Sequence, residues 1–112
     1  MMKPKILFVC GRNKWRSPTA ARIYRNDPRV DVRSAGMSGK SPHPISNSDL
    51  EWADLVLVME RRYKGKLMGL FRDLELPPIE SLDIPDEYEY MDEELVDLIR
   101  SGVEHHINNL AG

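Results

Sequence analysis

Cys10, Arg16 and Ser17 stand within eight positions of one another, in the run Cys10-Gly11-Arg12-Asn13-Lys14-Trp15-Arg16-Ser17. A thiolate is a nucleophile, and a guanidinium can grip two phosphoryl oxygens at once. A loop with five residues between Cys10 and Arg16 can curl so that its backbone N–H groups and both side chains converge on one anion. The residues around it supply the means. Lys5–Val9 (KILFV) is a short apolar run of strand formers, which reads as a buried strand. Ser17-Pro18 reads as a helix opening, with Ser17 as N-cap and Pro18 in the first turn. A helix N-terminus after a buried strand presents free N–H groups and the positive end of a dipole, so it suits an anion. The same surroundings favour thiolate over thiol, with the Ser17 hydroxyl able to donate to sulfur, and no histidine base is then needed.

This is the single cysteine of 112 residues, which excludes a disulfide framework and a multi-cysteine zinc site. A lone cysteine is ordinarily a buried small hydrophobe; its position between strand and helix argues for chemistry here. The composition, 41% hydrophobic and 30% charged, fits one compact soluble domain spanning 1–112. No apolar run approaches the length of a bilayer span, and the start MMKPKILFVC does not read as a signal peptide, so the expected location is the cytoplasm. The net charge of −2 hides a segregation: 15 Lys/Arg against 6 Asp/Glu in residues 1–72, and 1 against 12 in residues 73–112. A basic front can meet the acidic back or a phosphorylated partner.

Strand and helix signals alternate along the rest of the chain. Val30–Ser34 alternates apolar and polar, as a half-buried or edge strand does. Ala35–Pro44 is a Gly/Ser/Pro-rich loop, and Ser46 or Asn47 can cap a short helix through Trp52, whose indole reads as core. Leu55–Met59 is a second apolar strand. Glu60–Arg72 reads as a helix with Tyr63, Leu67, Leu70 and Phe71 inward, and Arg61, Arg62, Lys64 and Lys66 on a solvated face. Pro77–Leu82 holds a last short strand, and 83–90 a loop. Residues 92–110 form an amphipathic helix with Leu95, Leu98, Ile99, Val103, Ile107 and Leu110 on one face and an acidic first turn. His43, His105 and His106 read as surface or helix-face residues. The alternation implies right-handed crossovers and a parallel sheet of about four strands.

Taken together, CGRNKWRS after KILFV and before Pro18, Ser34-Ala35-Gly36, and Ile84-Pro85-Asp86-Glu87-Tyr88 resemble the low-molecular-weight protein tyrosine phosphatase family. These marks span residues 5–90, and the last helix fits the family's last helix. The resemblance implies an α/β three-layer sandwich, flavodoxin-like or phosphotyrosine phosphatase I-like, and a metal-independent phosphomonoester hydrolase without cofactor. It implies that Cys10 attacks phosphorus and forms a phosphocysteine. Arg16 and the amides of Gly11, Arg12, Asn13, Lys14, Trp15, Arg16 and Ser17 would bind the phosphate, with Asn13 fixing an unusual backbone. Asp86 would be the general acid, with Asp83 in reserve, and Tyr88 would wall the substrate pocket. Partners would be phosphotyrosine proteins or other phosphomonoesters, with phosphate or sulfate able to occupy the loop, in a monomer or weak dimer away from membranes.

The chain departs from the family in three places. It is shorter, with the difference falling between Arg72 and Leu82, which should leave the pocket shallower or more open. Trp15 stands where a second cysteine is usual, so no neighbouring disulfide could shield Cys10 from over-oxidation. Arg12 and Lys14 replace small and apolar residues, favouring a substrate with extra negative charge. Two rival readings are a phosphate- or nucleic-acid-binding module without turnover and an arsenate reductase; the thioredoxin-linked reductases need further cysteines.

Overall fold

A computed structural model describes residues 3–111, with the side chain of Ala111 outside the description. Four strands, β1 (Lys5–Cys10), β2 (Asp31–Gly36), β3 (Leu55–Val58) and β4 (Ile79–Ser81), form one parallel sheet in the order β2-β1-β3-β4. Helices α1 (Arg16–Tyr24), α2 (Asn47–Trp52), α3 (Arg61–Leu70) and α4 (Glu93–Ala111) flank it.

The strands sort their side chains by alternation into two cores. Ile6, Phe8, Cys10, Leu55, Leu57 and Met59 face α1 and α4, where Tyr24, Leu95, Ile99, Val103 and Ile107 close over them. Leu7, Val9, Val56 and Val58 face the other way and pack with Leu50, Tyr63 and Leu67. Two buried faces explain why the central strands read as unbroken apolar runs. The edge strand β2 keeps the mixed pattern of its sequence.

Differences from the sequence reading have local causes. β1 runs one residue further and ends on Cys10, while β2 starts at Asp31 and continues through Ala35 to Gly36, where each strand pairs with the other. α1 begins at Arg16, not after Ser17, and no side chain caps it; the Ser17 hydroxyl is engaged elsewhere. Ser46 does cap α2, in a reciprocal capping box with Asp49. Leu70 is 68% exposed because α3 ends there and its inner face stops at Leu67. Leu98 and Leu110 also lie exposed, beside rather than on the buried stripe of α4. Trp52 is half-buried, with the Arg33 guanidinium 4.3 Å from its ring centroid.

The strand order fixes where a ligand can sit. From β1 the chain leaves toward β2, and from β3 toward β4, so the connections diverge at the carboxyl ends of the two central strands. Crevices in open α/β sheets form at such reversal points. Cys10 ends β1 and Glu60 follows β3, and the two flank that crevice.

Candidate active site

The loop after β1 is shaped by contacts to its own nucleophile. The Asn13 N–H points at Cys10 Sγ (3.1 Å), and the Ser17 hydroxyl lies 2.9 Å from the same sulfur. Asn13 takes a left-handed φ of 52°, which turns its N–H back toward the sulfur; asparagine adopts this conformation more readily than most residues. Ser17 also reaches Asn13 Oδ1 (3.0 Å), tying the two supports together. With the sulfur ionised, the one hydroxyl proton of Ser17 has a charged acceptor, and charge-assisted bonds are the stronger ones. Cys10 is 3% exposed, yet its surroundings are polar on the loop side and apolar only beneath.

Neighbouring strands hold this loop from below. Met37 N–H donates to Cys10 O (2.9 Å), and Ser38 N–H to Gly11 O (2.8 Å). Gly36 lies so close under the loop that a Cβ there would overlap the Ser41 hydroxyl and stand 2.9 Å from Asn13 N. Gly11 is similarly confined: a Cβ would meet the Tyr63 hydroxyl at 2.8 Å. Gly36 thus has a steric reason for its identity, one that its place in a strand does not disclose.

Arg16 is 3% exposed and fully engaged on one edge. Its Nη1 donates to Ile84 O (2.8 Å) and pairs with Glu60 Oε2 (2.8 Å). Its Nε faces Asp86 Oδ1 at 3.6 Å, and Nη2 has no protein partner among the described residues. The Nε–Nη2 edge is one a bidentate oxyanion can take. Glu60, at the N-cap of α3, makes no capping bond; its carboxylate instead holds Arg16, Arg62 and the Tyr63 hydroxyl. Burial alone would raise its carboxyl, but the hydrogen bond and charge of Arg16, with Tyr63 and Arg62, outweigh that and hold it below the usual range.

The crevice is a cleft of about 750 Å³. Cys10, Gly11, Arg12, Lys14, Trp15 and Arg16 line it from the loop. Arg62, Tyr63, Lys66 and Leu70 form the α3 wall, with Met37, Ser38 and Asp86 at the margins. Asn13 and Ser17 support it from behind. Asp86 has 63% of its side chain exposed at the mouth. Asp83 is directed elsewhere: it accepts from Ser81 (2.6 Å) and pairs with Arg61 (2.9 Å), which hold it below the usual carboxylate range. Tyr88 does not line the cleft. It packs against the α4-side core, where burial, then Glu94 and Glu87, push its phenol up. The segment from 71 to 85 contributes no lining residue.

Sequence reasoning missed Glu60, and it placed Tyr63 inward without the cleft that its side chain also lines. Their signal was positional: both follow the second apolar strand, where the reversal point of the sheet must fall. Arg62 and Lys66 are exposed, as expected of a solvated face, and their i, i+4 spacing also puts both on the stripe of α3 that borders the cleft.

No protein-family model matches the chain, and no curated protein matches it significantly. Solved structures do match. The low molecular weight protein tyrosine phosphatase SP-PTP from Streptococcus pyogenes superposes with a TM-score of 0.79 at 20% identity, covering 97% of this chain and 93% of its own. Wzb from Vibrio vulnificus, in complex with benzylphosphonate, gives 0.77 at 22% identity, covering 97% and 100%. The YwlE arginine phosphatase from Geobacillus stearothermophilus gives 0.66 at 26% identity, covering 96% and 90%. The chain has the fold of the low-molecular-weight protein tyrosine phosphatases. Among the described residues no helix is long and apolar enough to cross a membrane.

Proposed function

We propose that the chain is a cysteine-dependent phosphomonoester hydrolase of the protein tyrosine phosphatase type. One observation carries this reading: a backbone N–H and a hydroxyl converge on Cys10 Sγ at the floor of a cleft that Arg16 and Asp86 also line. The sulfur attacks phosphorus in line, the P–O bond to the leaving group breaks, and a phosphocysteine forms. Arg16, through its Nε–Nη2 edge, and the loop N–H groups stabilise the equatorial oxygens, where charge must be held in the transition state. Glu60 keeps the guanidinium aimed by occupying its opposite edge. Asp86 gives its proton to the departing oxygen, then takes one from the water that hydrolyses the thiophosphate bond. Asp83 suits that role less, because Ser81 and Arg61 hold it ionised and turned from the cleft. Trp15, which lines the cleft, takes the place at its wall that the resemblance gave to Tyr88.

The neighbours named as tyrosine or arginine phosphatases support a phosphorylated protein substrate, and the benzylphosphonate bound to Vibrio Wzb supports an anion in this loop. A second reading, a phosphate-binding module without turnover, draws on the number of cations in the cleft. Hydrolysis of p-nitrophenyl phosphate separates the two. Steady turnover by the native chain, lost to background in Cys10→Ser, is expected. Anion binding without turnover in the native chain favours the module.

A further inference from the structure

The cleft holds more positive charge than one phosphoryl group needs. Arg12, Lys14, Arg16, Arg62 and Lys66 all line it, against a single carboxylate, Asp86. Two of the five are committed: Arg16 to Glu60 and Ile84 O, and Arg62 to Glu60 and the Tyr63 hydroxyl. Arg12, Lys14 and Lys66 form no ion pair among the described residues; Lys14 only rests 5.0 Å over the Trp15 ring. The simple alternative is a solvated surface, and on α3 lack of a partner does not by itself mark the cleft: Lys64, outside it, forms no ion pair among the described residues either, while Arg61 finds Asp83 at 2.9 Å. What sets Arg12, Lys14 and Lys66 apart is that they border one concavity. Twelve of the 18 acids lie after residue 72, and only Asp86 among them reaches this cleft. Three unpaired like charges around one concavity repel each other and focus a field that draws in anions.

Their layout says what kind of anion. Arg12 and Lys14 stand on the loop wall, and Lys66 on the α3 wall between Arg62 and Leu70, at i, i+4 and i+8. The cations are thus spread along the cleft, with apolar Trp15, Leu70 and Met37 among them. A compact bisphosphate would ask for cations gathered at one point. A nucleic acid would ask for a series of stacking platforms, and the lining has two aromatics, Trp15 at 38% exposure and the buried Tyr63. Resting on the hydrolase reading above, we infer that the preferred substrate is an acidic phosphopeptide, with Asp or Glu residues flanking the phosphorylated side chain. Arg12 and Lys14 take the carboxylates on one side of the scissile group and Lys66 those on the other.

The test compares kcat/KM on three probes: a phosphotyrosine hexapeptide flanked by Asp and Glu, its Asn/Gln counterpart, and a 5′-phosphorylated RNA oligonucleotide. Each exposed pair is worth about two- to fivefold, so the acidic peptide should lead the neutral one on the order of tenfold at low salt and less at high salt. In Lys66→Glu that ratio should fall toward one, because an attractive pair is replaced by a repulsive one. Such a selective loss of the acidic peptide's advantage is one that a merely structural role for Lys66 would not produce. Equal rates on acidic and neutral peptides, or faster turnover of the RNA end, would overturn the inference. If the native chain hydrolyses none of these probes and not p-nitrophenyl phosphate either, it is the hydrolase reading that fails.

Discussion

Two clusters of charge in this molecule are built to opposite rules. Between α1 and α4, Arg29 is held by Asp27 (2.8 Å) and Glu104 (3.1 Å), and Glu104 also accepts from the buried Tyr24 hydroxyl (2.8 Å). Arg29, Asp27 and Glu104 each have a partner there. Arg29 hydrogen bonds hold both carboxyls below their usual range, while burial and then Glu104 push the Tyr24 phenol up. In the Cys10 cleft, Arg16 is anchored on one edge and met on the other only by the exposed Asp86 at 3.6 Å, and three further cations form no ion pair among the described residues. A closed network fastens α4 to α1 and the turn that follows it. An open one, kept at the cost of like-charge repulsion, awaits a ligand.

That contrast is sharpest where catalysis depends on it. Asp86→Ala removes the one carboxylate at the cleft mouth and should slow p-nitrophenyl phosphate turnover by about a hundredfold, the lower range for a general acid. Unchanged turnover would move the proton to another group. Gly36→Ala tests the support beneath the loop. The added Cβ would press on Ser41 and Asn13 N, so a stability loss of about 1–3 kcal/mol is expected in urea unfolding, with weaker phosphate binding. Gly39, where a Cβ meets nothing within 4 Å, is the control and should tolerate alanine. Equal behaviour of the two variants would break the claim that Gly36 is set by the loop.

The closed network should respond more gently. Tyr24→Phe removes one hydrogen bond to Glu104 and should cost about 1 kcal/mol without altering the kcat of the hydrolase. Asp27 and Glu104 bind protons less readily folded than unfolded, so their contribution is complete above the ordinary carboxylate range and fades as pH falls through their depressed values. The exposure of Arg29 and Glu104 keeps this small. In Arg29→Met the acid-side fall in Tm should flatten; a Tm profile parallel to the native one would show that the pairing contributes nothing.

Much of the fold was legible because the two central strands are buried on both faces, and such strands announce themselves as unbroken apolar runs. The loop was legible because Cys10, Asn13, Arg16 and Ser17 are close in sequence. What escaped depends on juxtaposition across the sheet. Glu60 reaches Arg16 over 44 positions, and nothing local in ERRY says that its carboxylate turns back instead of capping α3. Ser17 looked like a cap because its type and its proline neighbour suit one, but the sulfur competes for the same hydroxyl. Tyr88 sits two residues from Asp86, yet its ring packs, partly buried, against the core between the sheet, α1 and α4. The end of α3 hid the fate of Leu70, and Leu98 and Leu110 lie beside the buried stripe of α4; periodicity alone gives a face but no limit to the neighbour it packs on.

The central claim is that the sulfur of Cys10 carries the phosphoryl group during turnover. Acid quenching of Asp86→Ala during reaction with p-nitrophenyl phosphate, followed by mass spectrometry of the peptide containing Cys10, tests it directly. The expected result is one phosphoryl group on Cys10 that is absent from Cys10→Ser treated in the same way. Steady turnover in Cys10→Ser, or a phosphoryl group found on another residue, would contradict the account.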